Sequence, residues 1–197
     1  MVTHRPILIL CCTLGILRSG FGQEASPETK KALTPEMQAF RQQMKQFEAE
    51  RLRLQAIAQK AFDSEMALEK AGDCPDAGST YDDCVCYNKV LETADQNLAK
   101  YVGAIRYMLS LRAPDVPGLP ARYPGPDGMP TTSAENVSEF DRLEQAWRPY
   151  REAACTAHHH QYGGGSGGPG AELECRVRLT RGHMKDLDSI YLMLLHK

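Results

Sequence analysis

The chain has no apolar run long enough to cross a bilayer. Its longest, residues 7–17, is interrupted by Thr13 and Gly15 and covers about 11 residues, against the ~20 that a spanning helix needs. Alternation of apolar and polar residues at the strand period is missing, and no internal repeat emerges, which sets aside sheet-based and solenoid architectures. The glycine-rich stretch near residue 165 is not followed by Gly-Lys-Ser or Gly-Lys-Thr, so it is no phosphate loop. No ordered Ser-His-Asp set, paired-carboxylate motif or nucleotide fingerprint stands out; catalysis has no positive support and no cofactor is expected. A net charge of −2 without a basic face argues against nucleic acid as a partner.

What is present begins at the N-terminus. His4 and Arg5 precede the apolar run, and Ser19, Gly20 and Gly22 follow it. A basic start, a short apolar core and small residues before a cut are the three parts of a secretory signal, here residues 1–22. Lipid attachment at Cys11 is disfavoured, because the bulky Leu10 precedes it. Cleavage after Gly22 predicts a periplasmic or secreted protein. It removes Arg5 and Arg18 and no acidic residue, moving the net charge from −2 to about −4, too mild to name a partner.

The remainder reads as an all-α, bundle-like domain preceded by a long amphipathic helix. Residues 23–33 are a polar leader. Thr34 and Pro35 form a helix start, a capping hydroxyl followed by a residue whose missing N–H costs nothing there. Met37, Phe40, Met44, Phe47, Leu54, Ala58, Ala61 and Leu68 then recur at helical spacing, interrupted by Arg51 and Glu65, until Gly72 stops the run. This helix is either a coiled-coil arm for a partner or folded back on its own domain. A second helix is expected from Thr80 as cap to about Arg112, on the face of Val90, Ala94, Leu98, Tyr101 and Ile105. The stretch 113–131, dense in proline and glycine, is an extended insert. A third helix runs from about Ala134 to His160, a glycine loop covers 162–170, and a fourth helix carries Leu173, Val177, Met184 and Leu187 to the C-terminus.

Five of the seven cysteines lie beyond the signal. In an exported chain they read as a disulfide framework. Cys155 and Cys175 flank the glycine loop, and a bridge closing about 20 residues stabilises by roughly 3 kcal/mol. Cys84 and Cys86, two apart on a helix, point in nearly opposite directions and cannot serve one partner equally. Cys74 with Cys86 is the preferred second bridge, which leaves Cys84 spare for burial or for a dimer. Crosslinks between the two halves remain an open alternative.

Several blocks in a fixed order carry a resemblance. They are Asp73-Cys74, then Cys86, Ala94-Asp95, Leu98 and Tyr101, then Trp147, Tyr150-Arg151, Glu152 and Cys155. Next come the glycines 163–165 with Ser166, and finally Cys175, Leu179-Thr180 and Arg181. From Asp73 to about Leu187 the chain resembles the LprI-type family of exported bacterial domains, which includes an inhibitor of lysozyme. The resemblance implies a protein partner, a lysozyme. The long first helix lies outside it, and Cys84 and the proline-rich insert are additions to its pattern. The organisation expected is therefore a signal at 1–22, a leader and long helix at 23–72, and an LprI-like helical domain at 73–197.

Two features fit such a partner. Asp73, Asp76, Asp82 and Asp83 belong to an acidic cluster with Asp63, Glu65 and Glu69, opposed only by Lys70; an acidic patch would steer a cationic lysozyme. The plainer account is helix capping and a solvated turn. Gly164, Gly165 and Ser166 lie on a loop that could enter a partner's cleft, or that merely connects two helices. His158, His159 and His160 splay around a helix, so at most two could share one ion, and no metal is expected. Trp147 reads as a core anchor, with Arg151 paired to a carboxylate.

Overall fold

The computed structural model describes residues 33–119 and 133–196; the expected signal segment and most of the proline-rich insert lie outside them. Among the described residues all regular structure is helical: α1 (Pro35–Ala71), α2 (Thr80–Ser110), α3 (Ser133–His160), α4 (Gly168–Ile190) and the short α5 (Leu192–Leu195). The protein is all-α.

Local chemistry sets the ends of these helices. The Thr34 hydroxyl accepts the Met37 N–H at 3.3 Å, and Pro35 follows inside the first turn. At the far end Gly72 takes φ +85°, a conformation that side chains rarely adopt. The cap of α2 is Ser79, one residue before the expected Thr80. Its backbone is extended, and its hydroxyl accepts the Asp82 N–H (3.2 Å) while donating to the Asp82 carboxylate (2.7 Å). The glycine loop is shorter than its composition suggests, because α4 begins at Gly168 rather than beyond Gly170. Pro169 fits the first turn, and Gly168 permits a close approach, since a Cβ there would sit 3.0 Å from the His159 ring. The C-terminal helix breaks at Tyr191 before α5.

α2 is the central element and packs on α1, α3 and α4. It runs antiparallel to α1, with the rings of Phe62 and Tyr101 5.7 Å apart and the Asn97 amide donating to Glu65 at 2.9 Å. Leu98, Tyr101, Ile105 and Met108 of α2 meet Leu54, Ala58 and Ala61 of α1, Phe140 of α3 and Met184 and Leu187 of α4. Each large apolar side chain in this core stabilises by about 1.5–3 kcal/mol.

The two halves of α1 differ. Its buried residues are Leu54, Ala58, Ala61 and Glu65, all in the C-terminal half. Met37, Phe40, Met44 and Phe47 are only half-buried. Pairing residue 62 with 101 sets the last turn of α2 opposite about residue 53, so the preceding turns of α1 run past its end. The long helix is thus folded back over one half and extended in the other. The apolar stripe also differs from its sequence pattern, since Glu65 is fully buried and Leu68 is 42 % exposed.

Candidate functional site

Both disulfides lie where α1 and α3 finish and α2 and α4 begin. Cys74 joins Cys86 (Cα–Cα 5.8 Å) and Cys155 joins Cys175 (5.4 Å). Cys84 is a half-buried free thiol. A Cβ placed on Gly170 would lie 3.7 Å from both the Cys84 Sγ and the Asp83 Cβ, so the first turns of α2 and α4 pack directly together.

The polar residues of the blocks that carry the resemblance find one another. Arg181 of α4 donates through Nε to Glu65 (2.8 Å), and the rest of its guanidinium grips both Asp73 oxygens. Burial would pull the Arg181 guanidinium down, but the bonds to Asp73 and Glu65 outweigh it and leave it raised. Arg151 of α3 reaches Asp95 of α2 and the Thr180 hydroxyl of α4 (2.8 Å), with its guanidinium 5.0 Å from the Trp147 ring. Trp147 stacks on the buried His183 at 4.0 Å, and His183 is bonded to Glu144 at 2.7 Å. Trp147, Arg151, Asp95, Thr180, Asp73 and Arg181 thus tie helices to one another. Asp73, expected at a partner surface, has its carboxylate committed inward.

The other acidic candidates face outward. Asp76 and Asp82 are exposed, and Asp83 is half-buried on the side of α2 that meets α4. The glycine loop, residues 161–167, presents Gly164, Gly165 and Ser166 to solvent. Gly163 and Gly164 take φ of +57° and +82°, so the turn itself calls for glycine there. The acidic turn and the loop meet at a cavity of about 250 Å³ lined by Asp83, Tyr87, Tyr162, Gly167, Gly170 and Glu174.

Tyr87, Tyr162 and Glu174 were not singled out from sequence. Their available signal is adjacency: Tyr87 follows Cys86, Glu174 precedes Cys175, and Tyr162 opens the glycine run. The Tyr87 hydroxyl is pushed up by burial and then by the negative charges of Glu174, Asp73 and Asp83, with Arg181 opposing. A second, apolar cleft of about 370 Å³ lies between α3 and α4, walled by Leu143, Trp147, Tyr150 and Ile190. In the histidine run, His159 is bonded to Glu172 at 2.8 Å and the His158 ring meets Tyr162 edge-on. Among the described residues no group of three or more His, Cys, Asp or Glu side chains is placed to hold a metal ion.

No helix among the described residues is long and apolar enough to cross a membrane. No curated protein and no solved structure matches the chain. Residues 71–187 match the family model described as Lysozyme inhibitor LprI. That match covers more than half of the chain and spans both disulfides, the Arg181–Asp73 ion pair and the glycine loop; the chain belongs to the LprI lysozyme-inhibitor family.

Proposed function

We propose that this protein is exported and inhibits a cationic lysozyme by blocking the enzyme's cleft. The observation that carries this reading is the convergence of the acidic start of α2 and the exposed glycine loop at the doubly bridged end. Asp76, Asp82 and Asp83 give that end a negative field, which raises the encounter rate with a cationic enzyme. Gly164, Gly165 and Ser166 supply a narrow projection, and the Cys155–Cys175 bridge beside them limits the entropy lost on entering a cleft. Asp73 serves by holding Arg181, and with it the start of α2, in place. The signal-like pattern of residues 1–22 supports a periplasmic or secreted location, where disulfides persist.

The test is lysis of cell walls by a cationic lysozyme, with and without the oxidised mature protein. Saturable inhibition that weakens with added salt and disappears on reduction is the expected result. Full lytic activity at large molar excess of the protein, across lysozyme classes, would sink the proposal.

A second reading is assembly through the long helix, favoured by the half-buried stripe of Met37, Phe40, Met44 and Phe47 that extends past α2. Under it the chain self-associates or binds an envelope partner through that segment. A dimer under this reading forms through that helix or through the free, half-buried Cys84 thiol.

A further inference from the structure

The cavity beside the glycine loop has the dimensions and chemistry of a receptor for one side chain. At about 250 Å³ it falls below the ~300–1,000 Å³ of pockets that hold drug-sized ligands. Its walls combine two phenol rings, Tyr87 and Tyr162, with two carboxylates, Asp83 and Glu174, and no lysine or arginine lines it. Three nearby acids are engaged within the fold: Asp73 by Arg181, Glu172 by Arg176 and His159, Asp82 by Ser79. Asp83 and Glu174, by contrast, have no side-chain hydrogen bond or ion pair among the described residues. Glycine suits the opening, since a Cβ on Gly167 would stand 3.2 Å from the Tyr162 ring, which would have to give by a few tenths of an ångström.

We propose that this cavity takes the side chain of a single arginine from the bound partner, its guanidinium against the tyrosine rings and facing Asp83 and Glu174. Arginine suits it better than lysine, because a planar guanidinium stacks on aromatic faces and presents a fork of donors to two carboxylates. The partner's identity rests on the lysozyme-inhibitor reading, while the chemistry of the cavity stands apart from it. The acidic turn then acts twice. Long-range attraction comes first, and the half-buried Asp83 with the exposed Glu174 afterwards fixes the register of docking.

The experiment is a titration of the isotopically labelled, oxidised mature protein with N-acetyl-arginine methylamide, followed by NMR, with N-acetyl-norleucine methylamide as control. The arginine derivative should give saturable amide shifts around residues 83, 87, 162, 167 and 170. The norleucine derivative should not, and D83N/E174Q should abolish the response while its circular dichroism stays unchanged. Absence of saturable shifts in the wild-type protein, or equal shifts from norleucine, overturns the proposal. So does markedly tighter binding of free L-arginine than of the blocked derivative, which would make the ligand an amino acid rather than a protein side chain. In calorimetry against lysozyme, D83N/E174Q should weaken binding about tenfold or more, the loss of one charge-assisted contact. Unchanged lysozyme affinity in that variant overturns the arginine contact and leaves the inhibitor reading intact. Arginine-specific shifts in a protein that binds no lysozyme would uphold the cavity and defeat the inhibitor reading instead.

Discussion

Arg181 Nε stands 2.8 Å from Glu65 Oε1 across the α1–α4 contact, and both side chains are shut away from solvent. Asn97 takes the second Glu65 oxygen and Asp73 the rest of the guanidinium, so the buried charges are bonded on every side. Removing one member leaves a buried charge without compensation, which costs about 3–5 kcal/mol, whereas replacing a buried pair by apolar residues is often neutral. Arg181→Met, which leaves Glu65 and Asp73 without their cation, should destabilise by about that amount in urea unfolding, and Glu65→Leu by less, because Asp73 still holds the guanidinium. The double variant should cost far less than the two together. Strictly additive penalties would show that the pair is not coupled as its geometry indicates.

Tyr101 gives the fold a sensitivity to alkali. Its hydroxyl, nearly fully buried, donates to Asp188 at 3.0 Å. Burial first, then the Asp188 charge and hydrogen bond, push its ionisation well above the ordinary tyrosine range. A group raised in the folded state favours the protonated form there. Its contribution is complete below the unfolded value, about pH 10, and is lost as pH climbs from there towards the folded value. Wild-type stability should therefore fall more steeply above pH ~10 than that of Tyr101→Phe, which at neutral pH should be about 1–2 kcal/mol less stable. Chemical unfolding from pH 7 to 11 decides this; parallel alkaline limbs in the two proteins would count against it.

The parts of this structure that sequence reveals are those fixed by local spacing. The α2 face of Leu98, Tyr101 and Ile105 follows from a helical period, and Thr34-Pro35 and Gly72 bound α1 through chemistry confined to a few residues. Glu65 reads in sequence as a break in an apolar stripe, because the arginine that neutralises it is 116 residues away. The start of α4 is obscured for another reason: glycines at 168 and 170 look like loop but serve close packing against His159 and the first turn of α2. The cavity cannot be read from sequence either. Asp83, Tyr162 and Glu174 converge only once two helix starts pack side by side, and no local pattern announces that contact.

The two bridges should differ in what they hold. Their sequence separations, 12 and 20 residues, predict about 3 kcal/mol each from loop closure, differing by only about 0.5 kcal/mol. Cys74, however, directly follows Asp73, so the shorter bridge also keeps the Asp73 carboxylate on Arg181. Cys74→Ala with Cys86→Ala should make a further Asp73→Asn change cheaper than it is in the wild type. With Cys155→Ala and Cys175→Ala the Asp73→Asn cost should simply add. Thermal unfolding of the wild type, the two bridge variants and their Asp73→Asn counterparts tests the contrast. Equal coupling in both backgrounds would remove the positioning role from the Cys74–Cys86 bridge.

The long helix can be divided by experiment at the place where its burial changes. Residues before Leu54 contribute no fully buried side chain, so a protein beginning at Glu48 should lose no more than about 1 kcal/mol. Leu54→Ala, which empties a core position, should cost about 2–5 kcal/mol. A cut through residue 71 would instead remove Leu54, Ala58, Ala61 and Glu65 and unfold the domain, so loss of activity in that protein would say nothing about a partner. The shorter truncation separates the two proposed functions cleanly. If the glycine loop and acidic turn carry inhibition, the protein beginning at Glu48 should inhibit lysozyme as the full mature chain does. If the stripe of Met37, Phe40, Met44 and Phe47 carries assembly, sedimentation should show concentration-dependent association in the full chain and its loss in the truncated one. Inhibition that vanishes with the truncation while the fold persists would move the lysozyme contact from the bridged end of the bundle to the exposed half of α1.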